Sequence, residues 1–305
     1  MSENFLKERM KDSSVVSAES LILKPPFPYN MLVELSNYCN HSCVFCTNPQ
    51  MQRKIGFLDF QLLKNILIEA YTNGTREIGL YRTGEPFAFG QLNEVISMAR
   101  DIGFEYIYIT TNGSLATPEK LIQAIESGLN SIKFSVNAAT RETYKMIHGS
   151  DDFEQVMSNI KFLKEYRDSN NLNLKIGSSF VTTSETEHEV SIYESIFKDL
   201  VDSYVTVKAH NQGGNMTEYT SFNTISAPCH IPFNRLHISC EGYLTMCCAD
   251  FENYLVVADL KEVTLTEAWH SEKAQDLRRK HIENKLEGTL CYNCITGLNT
   301  KISPL

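Results

Sequence analysis

No apolar run in the 305-residue chain approaches the length that spans a bilayer, and the opening MSENFLKERMKDSS lacks the apolar core of a secretion signal. Neither membrane insertion nor export is expected, and the reading is of a soluble, cytoplasmic protein. Positive charge is also short, since 28 Lys and Arg against 37 Asp and Glu leave a net charge of −9. That balance argues against a nucleic-acid backbone as the main partner. Internal repeats and low-complexity tracts are absent too. Cysteine is missing from the whole stretch between Cys46 and Cys229, so the nine cysteines form two groups, Cys39 to Cys46 and a later six. In a reducing compartment such clusters read as metal or redox sites rather than disulfides.

What is present suits one large domain and a small appendage, because 42% of the residues are hydrophobic and can bury a substantial core. Residues 1–28 read as a polar arm ending in KPPFP, whose prolines forbid a regular element. Short apolar or β-branched runs at 30–35, 77–81, 105–110, 131–136, 174–182 and 203–208 predict strands. Amphipathic stretches near 58–73, 90–102, 117–127, 152–168 and 187–200 predict helices between them. Strands separated by helices imply a parallel α/β sheet, which places chemistry at the carboxyl ends of its strands. The polar oddities fall there: SNYCNHSC, RTGEP, TNG, NAAT and KAHNQGGN.

Beyond about residue 225, LHISCEGYLTMCCAD predicts a hairpin that turns at Glu241-Gly242, with Gly242 at positive φ. A helix near 264–285 and a closing CYNC follow. The expected organisation is an arm (1–28), a barrel-like domain (29–225), a small cysteine-rich unit (226–298) and a tail (299–305).

Cys39-x3-Cys43-x2-Cys46 puts three thiols in one loop directly after the first strand. A closed zinc site wants four ligands, whereas a four-iron cluster on three thiolates keeps one iron open to a ligand that is not protein. The loop resembles that of the radical S-adenosylmethionine (SAM) enzymes. The resemblance implies a partial (β/α)6 TIM-like barrel, a [4Fe-4S] cluster on Cys39, Cys43 and Cys46, and SAM on the open iron. It also implies that Phe45 flanks the adenine. Thr83-Gly84-Glu85-Pro86 is similar to the family's G-G-E-P turn for the SAM amino group, with Thr83 replacing a glycine. Thr111 and Asn112 in TTNGSL match the third strand end. Ser135 and Asn137 match the fourth-strand segment near the methionine and ribose parts of SAM, with Asn137 replacing the commoner Asp. His148 stands where many relatives carry Arg.

Cys229-x12-Gly242-x4-Cys247 followed by Cys291-x2-Cys294 resembles the SPASM/Twitch extensions of the same superfamily. A single terminal C-x2-C implies the Twitch type, a small β-hairpin plus helix unit with one auxiliary [4Fe-4S] cluster on Cys229, Cys247, Cys291 and Cys294. Four thiolates also suit structural zinc. Neighbours on a strand point to opposite faces, so one of Cys247 and Cys248 is a ligand, and the spacing from Gly242 favours Cys247. Cys240 and Cys248 are then spare.

By this resemblance, the first cluster cleaves SAM to a 5′-deoxyadenosyl radical that takes hydrogen from an unactivated carbon. On a carbinol carbon, loss of a proton and a further electron then gives a ketone, with the auxiliary cluster as electron acceptor. Twitch-type dehydrogenases of aminoglycoside pathways imply a sugar, cyclitol or aminoglycoside-like small-molecule substrate and an external donor such as flavodoxin or ferredoxin. Arg82, Lys208 and His210, at strand ends, are candidates for the base or for substrate binding. Epimerisation is the alternative, with Cys248 or Cys240 returning hydrogen to the substrate radical. Peptide modification is a third reading. A cluster-bearing electron carrier is a fourth, and TGEP argues against it.

Overall fold

The structure, a computed structural model, describes residues 4–7, 20–222 and 227–305, the side chains of residues 220–222 apart. Six parallel strands stand where the alternation of patterns places them: β1 (Asn30–Val33), β2 (Glu77–Gly79), β3 (Tyr106–Thr111), β4 (Ser131–Ser135), β5 (Lys175–Thr182) and β6 (Ser203–Lys208). Between them run α1 (Phe60–Thr72), α2 (Leu92–Ile102), α3 (Pro118–Ser127), α4 (Arg141–His148), α5 (Phe153–Ser169) and α6 (Val190–Phe197). Their ends are chemically marked. Asp59 accepts from Leu62 N–H (2.7 Å) to start α1, and Thr117 with Pro118 starts α3. Gly103 and Gly128, both left-handed, stop α2 and α3.

Helix α4 is additional to the helices expected from the sequence. Thr140 caps it and Gly149 ends it, giving two turns that carry Tyr144, Ile147 and His148 inward.

The later segment does more than form an appendage. Strand β7 (Arg235–Ile238), preceded by the short α7 (Ile231–Asn234), pairs in parallel with β1, Met31 opposite Leu236. It turns through Gly242 (φ 87°), as expected, into antiparallel β8 (Tyr243–Thr245), and β9 (Val256–Asp259) follows. The result is one nine-stranded open sheet in the order β6-β5-β4-β3-β2-β1-β7-β8-β9. The helix expected near 264–285 is two, α8 (Leu265–Trp269) and α9 (Glu272–Ile282), because Ser271 accepts from Ala274 N–H and starts a new helix. The closing CYNC lies in α10 (Leu290–Thr296).

Alternate residues of each strand face opposite ways. Met31, Val33, Ile78, Ile107, Ile109, Ile132 and Phe134 join one core with the helices, and that core runs on to Trp269 and Leu277. The other face lines the barrel interior, where residues 4–7 also lie. Asn4 donates to Tyr204 O (3.0 Å), and a Cβ on Gly177 of β5 would stand 2.8 Å from Leu6. Most of the rest of the expected arm lies outside the described residues, as does the expected boundary at 225–226. No helix among the described residues is long and apolar enough to cross a membrane.

Candidate active site

The first cysteine loop is fixed at both ends. Ser42 N–H and Val44 N–H donate to His148 O (3.0 Å) and Ile147 O (2.9 Å), so the end of α4 pins its middle. Asn48 Nδ2 donates to Asn37 O and Thr83 O, both 2.9 Å, which ties its far end to the TGEP turn. Gln212, after β6, accepts from Thr47 N–H (3.1 Å) and donates to Phe45 O (2.7 Å). Burial raises all three thiols, Cys39 to about 11, and for Cys39 and Cys43 neighbouring thiols add to it. Three crowded, desolvated sulfurs become thiolates readily only around a cation, which is the donor chemistry of an iron–sulfur cluster.

Beside them, Gly84 has no room for a side chain: a Cβ would sit 2.3 Å from Ser36 O and 2.6 Å from Tyr38 O. Glu85 N–H donates to Tyr38 O (2.8 Å), and the Glu85 carboxylate is fully enclosed. It accepts from Thr111 Oγ1 (2.6 Å), Asn112 N–H (2.8 Å) and Phe87 N–H (3.1 Å). Burial still lifts its pKa, so an ammonium group is the complement this carboxylate lacks. Asn112 Nδ2 lies 3.9 Å from Cys39 Sγ, and Phe45 packs with Ile147, Ala209, Met216 and Tyr219 in a separate apolar cluster. A cluster, an amino group and an apolar group against Phe45 therefore fit the residues present.

Each departure from the family pattern has a local reason. The Thr83 hydroxyl donates to Glu34, which a glycine could not do. Asn137 takes a left-handed conformation (φ 57°), tolerable for Asn, and its Oδ1 accepts from Val181 N–H (2.9 Å), bracing β4 against β5. Ser135 Oγ lies 3.4 Å from Ser179 Oγ on the same pair of strands. His148 Nε2 faces Val136 O at 2.8 Å and must donate, so Nδ1, 3.4 Å from Cys43 Sγ, carries the lone pair. Burial, with His41 adding, depresses His148 to about 3 and keeps it neutral.

The later cysteines also converge. Cys229, Cys247, Cys248, Cys291 and Cys294 line one cavity with Ile231, Leu255 and Leu290. The expectation that Cys247 and Cys248 face opposite ways is corrected: β8 ends at Thr245, and the pair lies in the turn beyond it. Cys248 accepts from the Cys247 thiol and lies beside His237, which lowers its own pKa well below the ordinary range. The His237 ring is fully buried, with the Cys248 sulfur as its polar neighbour. Cys240 lines neither this cavity nor the barrel interior; its N–H donates to Glu34 (3.0 Å), and burial followed by the Glu34 charge raises its thiol.

Arg82 is occupied structurally. Its buried guanidinium faces Glu34 (3.6 Å) and donates to Cys247 O and Asp250 O, clamping the auxiliary loop. His210 borders the cysteine cavity, and its Nδ1 accepts from Gln212 N–H (3.0 Å), so a neutral ring carries its proton on Nε2. Lys208 is exposed at the end of β6. Residues that sequence reasoning passed over are Glu34 and Arg53, which bridge the two cysteine regions, together with Gln212, His237 and Lys133.

The model of the Radical SAM superfamily matches residues 33–191. The chain belongs to the radical SAM superfamily. A second model, the SPASM iron-sulfur cluster-binding domain, matches residues 229–295, so this radical SAM protein is an enzyme with [4Fe-4S] clusters and SAM as its cofactors. Among curated relatives, the S-adenosyl-L-methionine-dependent 2-deoxy-scyllo-inosamine dehydrogenase of Niallia circulans is 22% identical over 86% of this chain and 90% of its own. An uncharacterized protein of Methanocaldococcus jannaschii is 29% identical over 44% of this chain, which spans only 43% of that relative. A probable GTP 3′,8-cyclase of Methanothermobacter marburgensis is 28% identical, again over 43% of each. Of solved structures, BtrN in complex with AdoMet and 2-DOIA has a TM-score of 0.60 at 19% identity, covering 88% of this chain and 94% of its own. SuiB of Streptococcus suis bound to precursor peptide SuiA has a TM-score of 0.69 at 14% identity, covering 94% and 72%. These likenesses establish the fold, a partial barrel with a C-terminal extension.

Proposed function

We propose that the enzyme oxidises a secondary alcohol of a sugar or cyclitol-like small molecule. The observation that carries this reading is the convergence of Cys229, Cys247, Cys291 and Cys294 on one cavity bordered by His210, which supports a second cluster able to take an electron from substrate. When bound, SAM and the first cluster supply a carbon radical that removes one hydrogen atom, and the second cluster accepts one electron. Cys39, Cys43 and Cys46 would hold the first cluster; Cys229, Cys247, Cys291 and Cys294 would hold the second. Gly84, Glu85, Thr111 and Asn112 would seat the amino end of SAM, and Phe45 its adenine. The hydroxyl proton leaves to a basic group of the chamber wall, completing the loss of two electrons and two protons. Overall similarity to the inosamine dehydrogenase across most of both chains supports the same class of reaction. A one-electron donor such as flavodoxin or ferredoxin belongs to this proposal.

Epimerisation is the second reading, favoured by Cys248, which lies among the expected ligands yet also near Tyr81 and His237 of the barrel side. Anaerobic turnover with reductant in deuterated water separates the two. Oxidation gives a ketone lighter by one hydrogen pair, without solvent deuterium at carbon. A product of unchanged composition carrying deuterium at the reacting carbon would establish epimerisation and end the first reading. Absence of 5′-deoxyadenosine from the reduced, fully loaded protein would count against both.

A further inference from the structure

The barrel interior holds a cavity of about 140 Å³, lined by Tyr81, Tyr108, Thr110, Ser131, Lys133 and Arg235 and closed on one side by Phe5 and Leu6. It runs down the interior from one layer below the expected SAM-binding strand ends, where Tyr81, Thr110 and Lys133 lie, to the amino ends of β4 and β7, which Ser131 and Arg235 open. Two of its walls are cationic and none is acidic. In a chain of net charge −9, that is a strong local inversion.

Neither Lys133 nor Arg235 has a carboxylate partner among the described residues, although Arg235 lies close enough to Cys248 to help lower its thiol. Carboxylates elsewhere in the interior are engaged, Glu34 by Arg53 and Arg82, and Glu77 by Asn30. Burial alone pushes the Lys133 amine down to about 8. Both side chains are half-buried in the wall, and a cation there without a counter-charge is one that an anionic ligand would stabilise. The hydroxyls of Tyr81 and Ser131 stand in the same wall as further polar groups, while that of Tyr108 is already given to Asn30 Oδ1 (3.0 Å).

We propose that this cavity binds an anionic group of the substrate, a carboxylate or a phosphate ester, through Lys133 and Arg235. The inference rests on reading the barrel interior as the substrate chamber of the proposed oxidation. It moves the substrate class away from amino-cyclitols, whose ammonium group the two cations would repel, toward acidic sugars and sugar phosphates.

The test uses the full chain, reconstituted anaerobically with both clusters and saturated with SAM, and measures binding by calorimetry. The probes are glucuronate, glucose 6-phosphate, neutral myo-inositol and cationic glucosamine. One of the two anions is expected to bind about tenfold or more tightly than inositol and glucosamine, and which of them does so identifies carboxylate or phosphate. Lys133→Met and Arg235→Met should each reduce that binding about tenfold or more. Lys133→Met should melt no lower than the native chain, since it removes an uncompensated charge, and should bind SAM with unchanged affinity. Tighter binding of glucosamine, anion binding indifferent to both substitutions, or loss of SAM binding in Lys133→Met would each overturn the proposal. Anion binding without SAM cleavage would leave this site standing while the oxidation reading fell; cleavage without anion binding would do the reverse.

Discussion

Glu34→Gln is expected to lower the melting temperature by on the order of 10 °C, corresponding to about 3–5 kcal/mol for breaking a buried ion pair from one side. Glu34 has no solvent exposure and receives Arg53 at 3.0 Å, Arg82 at 3.6 Å, the Thr83 hydroxyl and Cys240 N–H. Glutamine keeps the size but removes the charge, leaving Arg82 buried without its carboxylate while Arg53 retains Glu241 (2.8 Å). Burial would raise the Glu34 carboxyl; Arg82 and Arg53 outweigh it and hold it at about 2, against an ordinary 4.5. A depressed folded pKa contributes stability that is fully present above 4.5 and is lost as pH falls toward 2. The shift corresponds to about 3 kcal/mol. Thermal melts between those limits should therefore show the native chain converging on Glu34→Gln as pH drops. Equal melting temperatures for the two proteins at neutral pH would mean that the network contributes nothing net. The same carboxylate joins the Thr83 turn to the loop of Cys247 through Arg82, so the variant should also lose auxiliary cluster occupancy before the first cluster.

How much of this was legible in the sequence depended on how local each feature is. The cysteine spacings, the TGEP turn and the six strands are written in short stretches, because strand alternation and ligand spacing repeat within a few residues. Pairings across the chain are not. Nothing local in RLHI says that it will lie parallel to NMLV some two hundred residues earlier, and that pairing makes the cysteine unit a continuation of the barrel sheet. The Glu34, Arg53 and Arg82 network is hidden for the same reason, as each residue alone reads as a strand-end or surface charge. Lys133 misleads in another way: in SIKFS its alternation with Ile132 and Phe134 suggests a solvent-facing side, and only the curvature of the open sheet turns that side into an interior. Cys247 and Cys248 were misread because a strand was extended past Thr245, where the chain already turns.

Gly84→Ala is expected to remove SAM binding while leaving both clusters in place. The added methyl would meet the carbonyl oxygens of Ser36 and Tyr38 at 2.3 and 2.6 Å, and both belong to backbone that cannot rotate away. Those carbonyls lead directly into Cys39, and Tyr38 O already holds Glu85 N–H at 2.8 Å. The segment before Cys39 is anchored by Ser36 Oγ to Gly56 O and Asn37 Nδ2 to Lys54 O, both 2.9 Å, so it is the turn that lifts off, carrying Glu85 with it. Overpacking of this kind costs about 1–3 kcal/mol, which the fold can bear. Moving the Glu85 carboxylate off the SAM amino group removes a charge-assisted hydrogen bond and its ion pair, a loss that SAM affinity would show. Gly90→Ala is the control, because a methyl there meets nothing within 4 Å. Iron content and the visible absorbance of the reconstituted clusters should match the native protein in both variants, with SAM retained in equilibrium dialysis only by Gly90→Ala. If Gly84→Ala bound SAM normally, the TGEP turn would be a structural bend, and the carboxylate of Glu85, held by Thr111 and Asn112, would have no amino group to meet.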